Sequence, residues 1–152
     1  MSLLMEIRKF RPVDAAEVSE VICRALALIN IKDYPEDNIK PLIVYFSPET
    51  ILKLAQARHM LVATIDSKIV GTGSLYEDTI YSLFVDPDHL TKGIGRKLMQ
   101  KLEELAKNNH IALLKVPSSL TATGFYIKLG FVKEKEILNP KSGRTIHMTK
   151  NL

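Results

Sequence analysis

One stretch of this chain constrains its fold more than any other: residues 80–99, Ile-Tyr-Ser-Leu-Phe-Val-Asp-Pro-Asp-His-Leu-Thr-Lys-Gly-Ile-Gly-Arg-Lys-Leu-Met. It reads as a buried strand, a turn, a short glycine-containing loop and then an amphipathic helix. That order leaves free backbone N–H groups at the start of a helix, aimed past the strand end. An anion, above all a phosphate, is the natural occupant.

The loop itself supports that expectation. Gly93 and Gly95 lack a Cβ, so the backbone can turn sharply and approach a ligand closely. Consecutive N–H groups from Leu90 through Thr91, Lys92, Gly93, Ile94 and Gly95 to Arg96 can form a concave donor cluster. The helix adds roughly half a positive charge at the same point. Lys92, Arg96 and Lys97 add full charges where the dipole alone would disfavour them. Two other phosphate devices do not fit. A P-loop needs Ser or Thr after its Lys, and Lys97 is followed by Leu98. A dinucleotide fingerprint needs a further Gly where Leu98 stands.

The rest of the chain bounds the setting. At 152 residues it fits one domain with a real core, and its 46% apolar and 25% charged content is that of an ordinary globular protein. The net charge of +4 suits an anionic ligand but is too diffuse for a nucleic-acid stripe. Cys23 is the single cysteine, so no intrachain disulfide forms, and its apolar neighbours mark it as a packing residue. The four histidines lack ligand spacing, so no metal site is expected. No apolar run is long enough to span a bilayer and no signal peptide is evident, so a cytoplasmic location is expected. Met1-Ser2-Leu3 reads as an appended start.

Read along its length, the chain predicts a strand at 5–10 and a helix from Pro12 or Asp14 to about Ile29. A loop follows at 30–38, then a short helix at 39–46 interrupted by Pro41. Ser47 and Pro48 open a helix running to about Arg58. Strands are predicted at 60–65, 68–76 and 79–85, and a helix after the glycine loop ends at Asn108-Asn109. A strand at 111–116 is stopped by Pro117. Ser118 or Ser119 caps a helix to about Leu129, which Gly130 ends. Residues 131–138 and 144–150 close the chain as a hairpin. The fold class is α/β: a mixed, mostly antiparallel sheet of about six to seven strands with about four helices, in which one helical crossover implies a parallel pair. The core is expected from Val62, Ile65, Ile69, Val70, Leu83, Val85, Leu98, Leu102, Leu113, Val116, Phe125 and Phe131.

A second constellation lies near the end: Ala122, Phe125, Tyr126, Lys128, Gly130 and Phe131. Ala122 and Tyr126 share a helix face, and the small Ala122 leaves room beside it. Taken with the strand and glycine loop, this pattern resembles the GNAT acetyltransferases over nearly the whole chain, from about Met5 to Lys150. The resemblance implies that the loop cradles the pyrophosphate of acetyl-CoA. Leu90 stands where the family usually has Gln or Arg, so a side-chain contact is missing while the backbone cradle is kept. The pantetheine arm would lie like an added strand beside Phe84 and Val85, whose backbone would polarise the acetyl carbonyl. Ser119 stands where an Asn often faces the cofactor. Tyr126 falls on the general-acid position, protonating the departing thiolate.

The base is not fixed by the resemblance. Many relatives carry a Glu where this chain has Thr79. Asp78 and Glu77 lie beside it as candidates, although they equally suit an ordinary polar turn. The acceptor pocket is expected from residues 34–46 and 138–146, with Tyr34 and Tyr45 lining it and Tyr81 on the strand face of Thr79; Glu36 and Asp37 read as surface residues. The implied activity is direct transfer of acetyl from acetyl-CoA to a primary amine of a small molecule, peptide or protein, with no covalent enzyme intermediate, no metal, no nucleic acid and no membrane. A homodimer is left open. The rival reading is an acyl-CoA-binding regulatory or interaction module without turnover.

Overall fold

The computed structural model of the chain describes residues 4–152, so the expectation for Met1-Ser2-Leu3 falls outside the described residues. The strands are β1 (Met5–Lys9), β2 (His59–Ile65), β3 (Lys68–Tyr76), β4 (Thr79–Val85), β5 (Leu113–Ser119), β6 (Val132–Asn139) and β7 (Gly143–Asn151). The helices are α1 (Ala15–Leu28), α2 (Glu36–Tyr45), α3 (Pro48–Ala57), α4 (Ile94–Asn108) and α5 (Thr123–Lys128). One seven-stranded sheet runs in the order β1-β2-β3-β4-β5-β7-β6. All neighbours are antiparallel except β4 and β5, which the α4 crossover makes parallel.

Strand alternation divides the apolar residues between two cores. In β2, Leu61, Ala63 and Ile65 face α4, while Met60 and Val62 face α1 and α3. Helix α4 supplies Ile94, Leu98, Met99, Leu102 and Ala106 to the first core from one stripe. Helix α1 supplies Val18, Val21, Ile22 and Leu26 to the second. Among the described residues no helix is long and apolar enough to cross a membrane.

The start of α1 is held by a charged pair that the sequence reading did not anticipate. The Arg8 guanidinium of β1 donates to both carboxylate oxygens of Asp14 at 2.8 and 3.0 Å, and the Arg11 N–H adds a third bond at 2.8 Å. The Arg8 hydrogen bond holds the Asp14 carboxyl below its ordinary value against the opposing effect of burial. A depressed carboxyl stabilises the fold above its unfolded pKa and loses that contribution as pH falls through the folded value. Thermal melts are therefore expected to show a fall in stability below about pH 4. Asp14→Asn should remove that part of the acid dependence and cost about 2 kcal/mol at neutral pH.

Ser47 caps α3 as expected, accepting from the Thr50 N–H at 3.3 Å. Several expectations are corrected. Helix α2 begins at Glu36, inside the predicted loop, and passes through Pro41, its sixth residue. Strand β5 is not stopped by Pro117, which is paired with His147 of β7. Pro removes only its own donor, and β5 continues through it to Ser119, so α5 is shorter than predicted. Leu113 is 39% exposed, whereas Leu114 is fully buried. Val116 is in the core as expected, and Leu114, two residues earlier on the same face, takes the place given to Leu113. Leu83, Val85 and Phe125 pack against the core while only partly buried. Among the described residues the sheet is flanked by five α-helices, in keeping with the expected α/β architecture.

Candidate active site

The site is built where β4 and β5 part. The two strands share one registered pair, Thr79 with Lys115. Beyond it, the edge of β4 through Val85 has no strand beside it. A bulge on the other edge of β4 accompanies the separation. The β3–β4 register shifts between Thr72 and Ser74, and Ser82 adopts a left-handed backbone at φ 54°. Gly73 lies opposite the bulge, where a Cβ would fall 2.7 Å from the Leu83 side chain.

Helix α4 is set close against this end of the sheet. A Cβ on Gly71 would come within 2.9 Å of Ile94, so glycine there lets the start of α4 reach the end of β4. Gly93 turns the chain into the helix at φ 74°. Among the described residues, the N–H groups of Gly93, Ile94, Gly95 and Arg96 have no acceptor. They form a donor cluster at the C-terminal part of the predicted Leu90–Arg96 stretch, the Lys92 N–H being used by the His89 carbonyl at 3.4 Å, with the Lys92, Arg96 and Lys97 side chains exposed around it. Leu90 is half exposed and Thr91 exposed, and both project away from the core.

The loop leading into α4 is anchored from the opposite face of the sheet. Arg24 of α1 donates to Asp86 at 2.6 Å and to Asp88 at 3.2 Å. Asp86 is 3% exposed, and its other oxygen accepts from the Asp88 N–H at 2.9 Å. Burial alone would raise the Asp86 carboxyl, but the Asp88 N–H and the Arg24 guanidinium outweigh it and leave it lowered. Sequence reading missed this anchor. The signal was present only as Asp-Pro-Asp at a strand end, with nothing to name the arginine 62 residues earlier.

Tyr126 lies on the same side of the sheet, in the short helix α5. Its ring is packed edge-on between Phe125 at 5.2 Å and Phe131 at 5.4 Å. The residue is 3% exposed, yet its hydroxyl makes no hydrogen bond among the described residues. Buried phenols usually find a partner. Burial pushes its pKa well above the ordinary phenol value, so the group stays neutral. Ser119 sits at the end of β5, and its hydroxyl accepts from the Ala122 N–H at 3.1 Å. That bond shapes the turn into α5 and leaves the Ser119 proton available. Phe84 packs into the second core, 6.0 Å from Phe46, and Val85 faces α4.

A cavity of about 650 Å³ opens on the other face, lined by Thr79 and Tyr81 of β4, Lys115, Val116 and Pro117 of β5, and His147 of β7. Tyr34 is not among the residues that line it. The Tyr34 hydroxyl donates to the Arg144 carbonyl at 2.6 Å and accepts from the Leu120 N–H at 2.8 Å. Tyr34 is thus committed to backbone, bracing the segment before α2 to β7 and to the end of β5, and Asn38 of α2 adds a bond to the Lys141 carbonyl at 2.9 Å. Tyr45 is half exposed at the end of α2, against Phe46.

The structure does not bring the candidate bases to this opening. Asp78 accepts from Thr79 at 2.8 Å and pairs with Lys115 at 3.1 Å, and both lower its carboxyl. Glu77 lies in the β3–β4 turn and borders a separate depression with His59 and Asn109. Among the described residues no group of three or more His, Cys, Asp or Glu side chains is arranged to hold a metal ion.

The profile of the acetyltransferase (GNAT) domain matches residues 30–152. The chain belongs to the GNAT acetyltransferase family and is an acyltransferase. It is 27% identical over 132 residues to the uncharacterized N-acetyltransferase YafP of Escherichia coli, covering 87% of this chain and 84% of that one. A structure described as a GCN5-related N-acetyltransferase, aminotransferase class-II, from Rhodopseudomonas palustris superposes with a TM-score of 0.92 at 25% identity, covering 100% of this chain and 99% of the other. The PaiA N-acetyltransferase of Thermoplasma acidophilum, solved with coenzyme A, shares the fold at a TM-score of 0.82 and 23% identity over 100% of both chains.

Proposed function

We propose that this chain transfers an acetyl group from acetyl-CoA directly to a primary amine of a small molecule or peptide. The observation that carries the reading is the pairing of four acceptor-less N–H groups at the start of α4 with an unpartnered phenol on α5, beside the opening between β4 and β5. The donor cluster fits a pyrophosphate: it is concave, positively flanked and free of internal acceptors. The unpaired edge of β4 at Phe84 and Val85 fits an extended amide chain.

In this reading Gly93, Ile94, Gly95 and Arg96 bind the diphosphate through backbone N–H groups, while Lys92 and Lys97 add charge. Backbone N–H groups near Phe84 orient the acyl carbonyl and stabilise charge developing on its oxygen. Breakage of the C–S bond and formation of the C–N bond moves one proton, net, from nitrogen to sulfur. Tyr126 holds a proton at its hydroxyl for the departing sulfur. Because burial keeps the phenol neutral, it remains a donor throughout the ordinary pH range. Asp78 is tied to Lys115, so the acceptor is expected to enter unprotonated or to lose its proton to solvent in the cavity beside Tyr81 and His147.

The test is calorimetric titration with acetyl-CoA, followed by thiol release against amines, polyamines, amino acids and peptides. Binding with turnover on one class is the expected result. Binding without turnover on any amine would favour the acyl-CoA-sensing module, and no binding would overturn the reading.

A further inference from the structure

Arg58 is a half-buried cation without a carboxylate. It follows the last residue of α3 in extended conformation, immediately before β2. Its guanidinium lies 4.6 Å from the centroid of the Tyr81 ring. One nitrogen reaches the hydroxyls of Ser74 and Ser82, each at 3.4 Å. Both contacts are long for hydrogen bonds, and both partners are neutral.

The other arginines with a partly buried setting are treated differently. Arg8 meets Asp14 and Arg24 meets Asp86. Among the described residues no carboxylate pairs with Arg58. A guanidinium taken from water without a counter-charge is costly. A tyrosine face returns only about 1 kcal/mol. Burial accordingly works against the charge and lowers its pKa. The planar fork carries five N–H donors, suited to two parallel bonds with a carboxylate.

Its position points to the acceptor. Tyr81 carries Arg58 on its ring and also lines the cavity, so cation and cavity share one side chain. Ser82, which accepts from Arg58, is the bulge residue of β4 and stands two residues, about 7 Å of strand, before Phe84 at the proposed acyl site. The guanidinium and the proposed acyl site therefore meet the same strand, two residues apart, where one small molecule can present both an amine and a carboxylate. The cavity side adds Lys115 and Lys135, with Lys115 already paired and Glu134 accepting from Thr149.

We propose that Arg58 binds a carboxylate on the acceptor, so that the substrate class is a primary amine carrying a carboxylate close to its nitrogen, with free amino acids as the simplest members. This rests on the acetyl-transfer reading above and narrows it.

The test uses the full chain with acetyl-CoA and matched amines: free amino acids, the corresponding amino-acid amides, and amides of peptides that begin with Asp or Glu. The wild type is expected to prefer the carboxylate over the amide by about 10- to 100-fold in kcat/KM. In Arg58→Gln that ratio should collapse toward one, mainly through KM, while Arg58→Lys should retain part of it. Preference for the acidic peptides over the free amino acids would place the carboxylate on a side chain and still support the site. Equal use of acid and amide by the wild type would overturn it. So would an unchanged ratio in Arg58→Gln, or a loss of kcat/KM on both substrates alike, the mark of a packing role. If acetyl-CoA binds but no amine turns over, calorimetry of amino acids with the CoA-loaded protein decides separately. Binding lost in Arg58→Gln keeps the proposal, and no binding by the wild type ends it.

Discussion

Tyr126→Phe is expected to lower kcat by about 100-fold or more while leaving the dissociation constant for acetyl-CoA nearly unchanged. The substitution removes one oxygen and nothing else. The ring stays wedged between Phe125 and Phe131, so the packing that orders α5 survives. Because the hydroxyl makes no bond within the described residues, its loss strands no partner, and the melting temperature should hold or rise. This separates a chemical role from a structural one. The pH profile adds a second check. The phenol is pushed far above the ordinary value, so the wild type should show no alkaline loss of kcat from Tyr126 below about pH 10. Steady-state rates across pH and a melt of both proteins decide the matter. Unchanged kcat in the phenylalanine variant would remove the acid assignment.

Asp86→Ala should have the second large effect, and on two quantities together. The carboxylate is nearly sealed from solvent and accepts from Arg24 and from the Asp88 N–H. Deleting it leaves both donors without their acceptor and frees the turn Pro87–His89, which precedes the glycine loop. A loss of about 2 kcal/mol of stability is expected. Acetyl-CoA should bind about 10-fold more weakly, because four N–H groups must then be ordered at the moment of binding. Denaturant titration and calorimetry on the same variant read the two effects. A stability loss with unchanged affinity would mean that the loop is ordered by α4 alone.

The unequal legibility of this protein has physical causes. The strand, glycine loop and start of α4 were readable because their chemistry is local: alternation, a turn residue and a free helix end lie within twenty residues. The helix α3 cap at Ser47 was readable for the same reason. Strand β5 was misplaced because an apolar run with a proline carries no register of its own; pairing with β7 decides which face Leu113 and Leu114 take. Tyr34 was read as a pocket residue from its position, but its hydroxyl is used by two backbone groups that lie 86 and 110 residues away. Arg24 and Arg58 gave no signal, since each gains meaning only from groups brought to it by the sheet. Asp78 looked like a base because its lysine partner lies on the next strand of the sheet rather than nearby in sequence.

The parting of β4 from β5 also divides the chain in order of synthesis. Everything from β1 to β4 is contiguous, as is everything from β5 to β7; within the sheet one registered pair joins the two halves, beside the α4 crossover, the Asp78–Lys115 pair and the Tyr34 and Asn38 bonds. Each half forms mostly from neighbours in sequence, so assembly can proceed in two stages, with the seam between them closed last. A molecule lodged in that seam would act as a staple across the weakest line of the sheet. Its binding energy would therefore appear in the melting behaviour of the whole protein, and a chain starved of it would open there first.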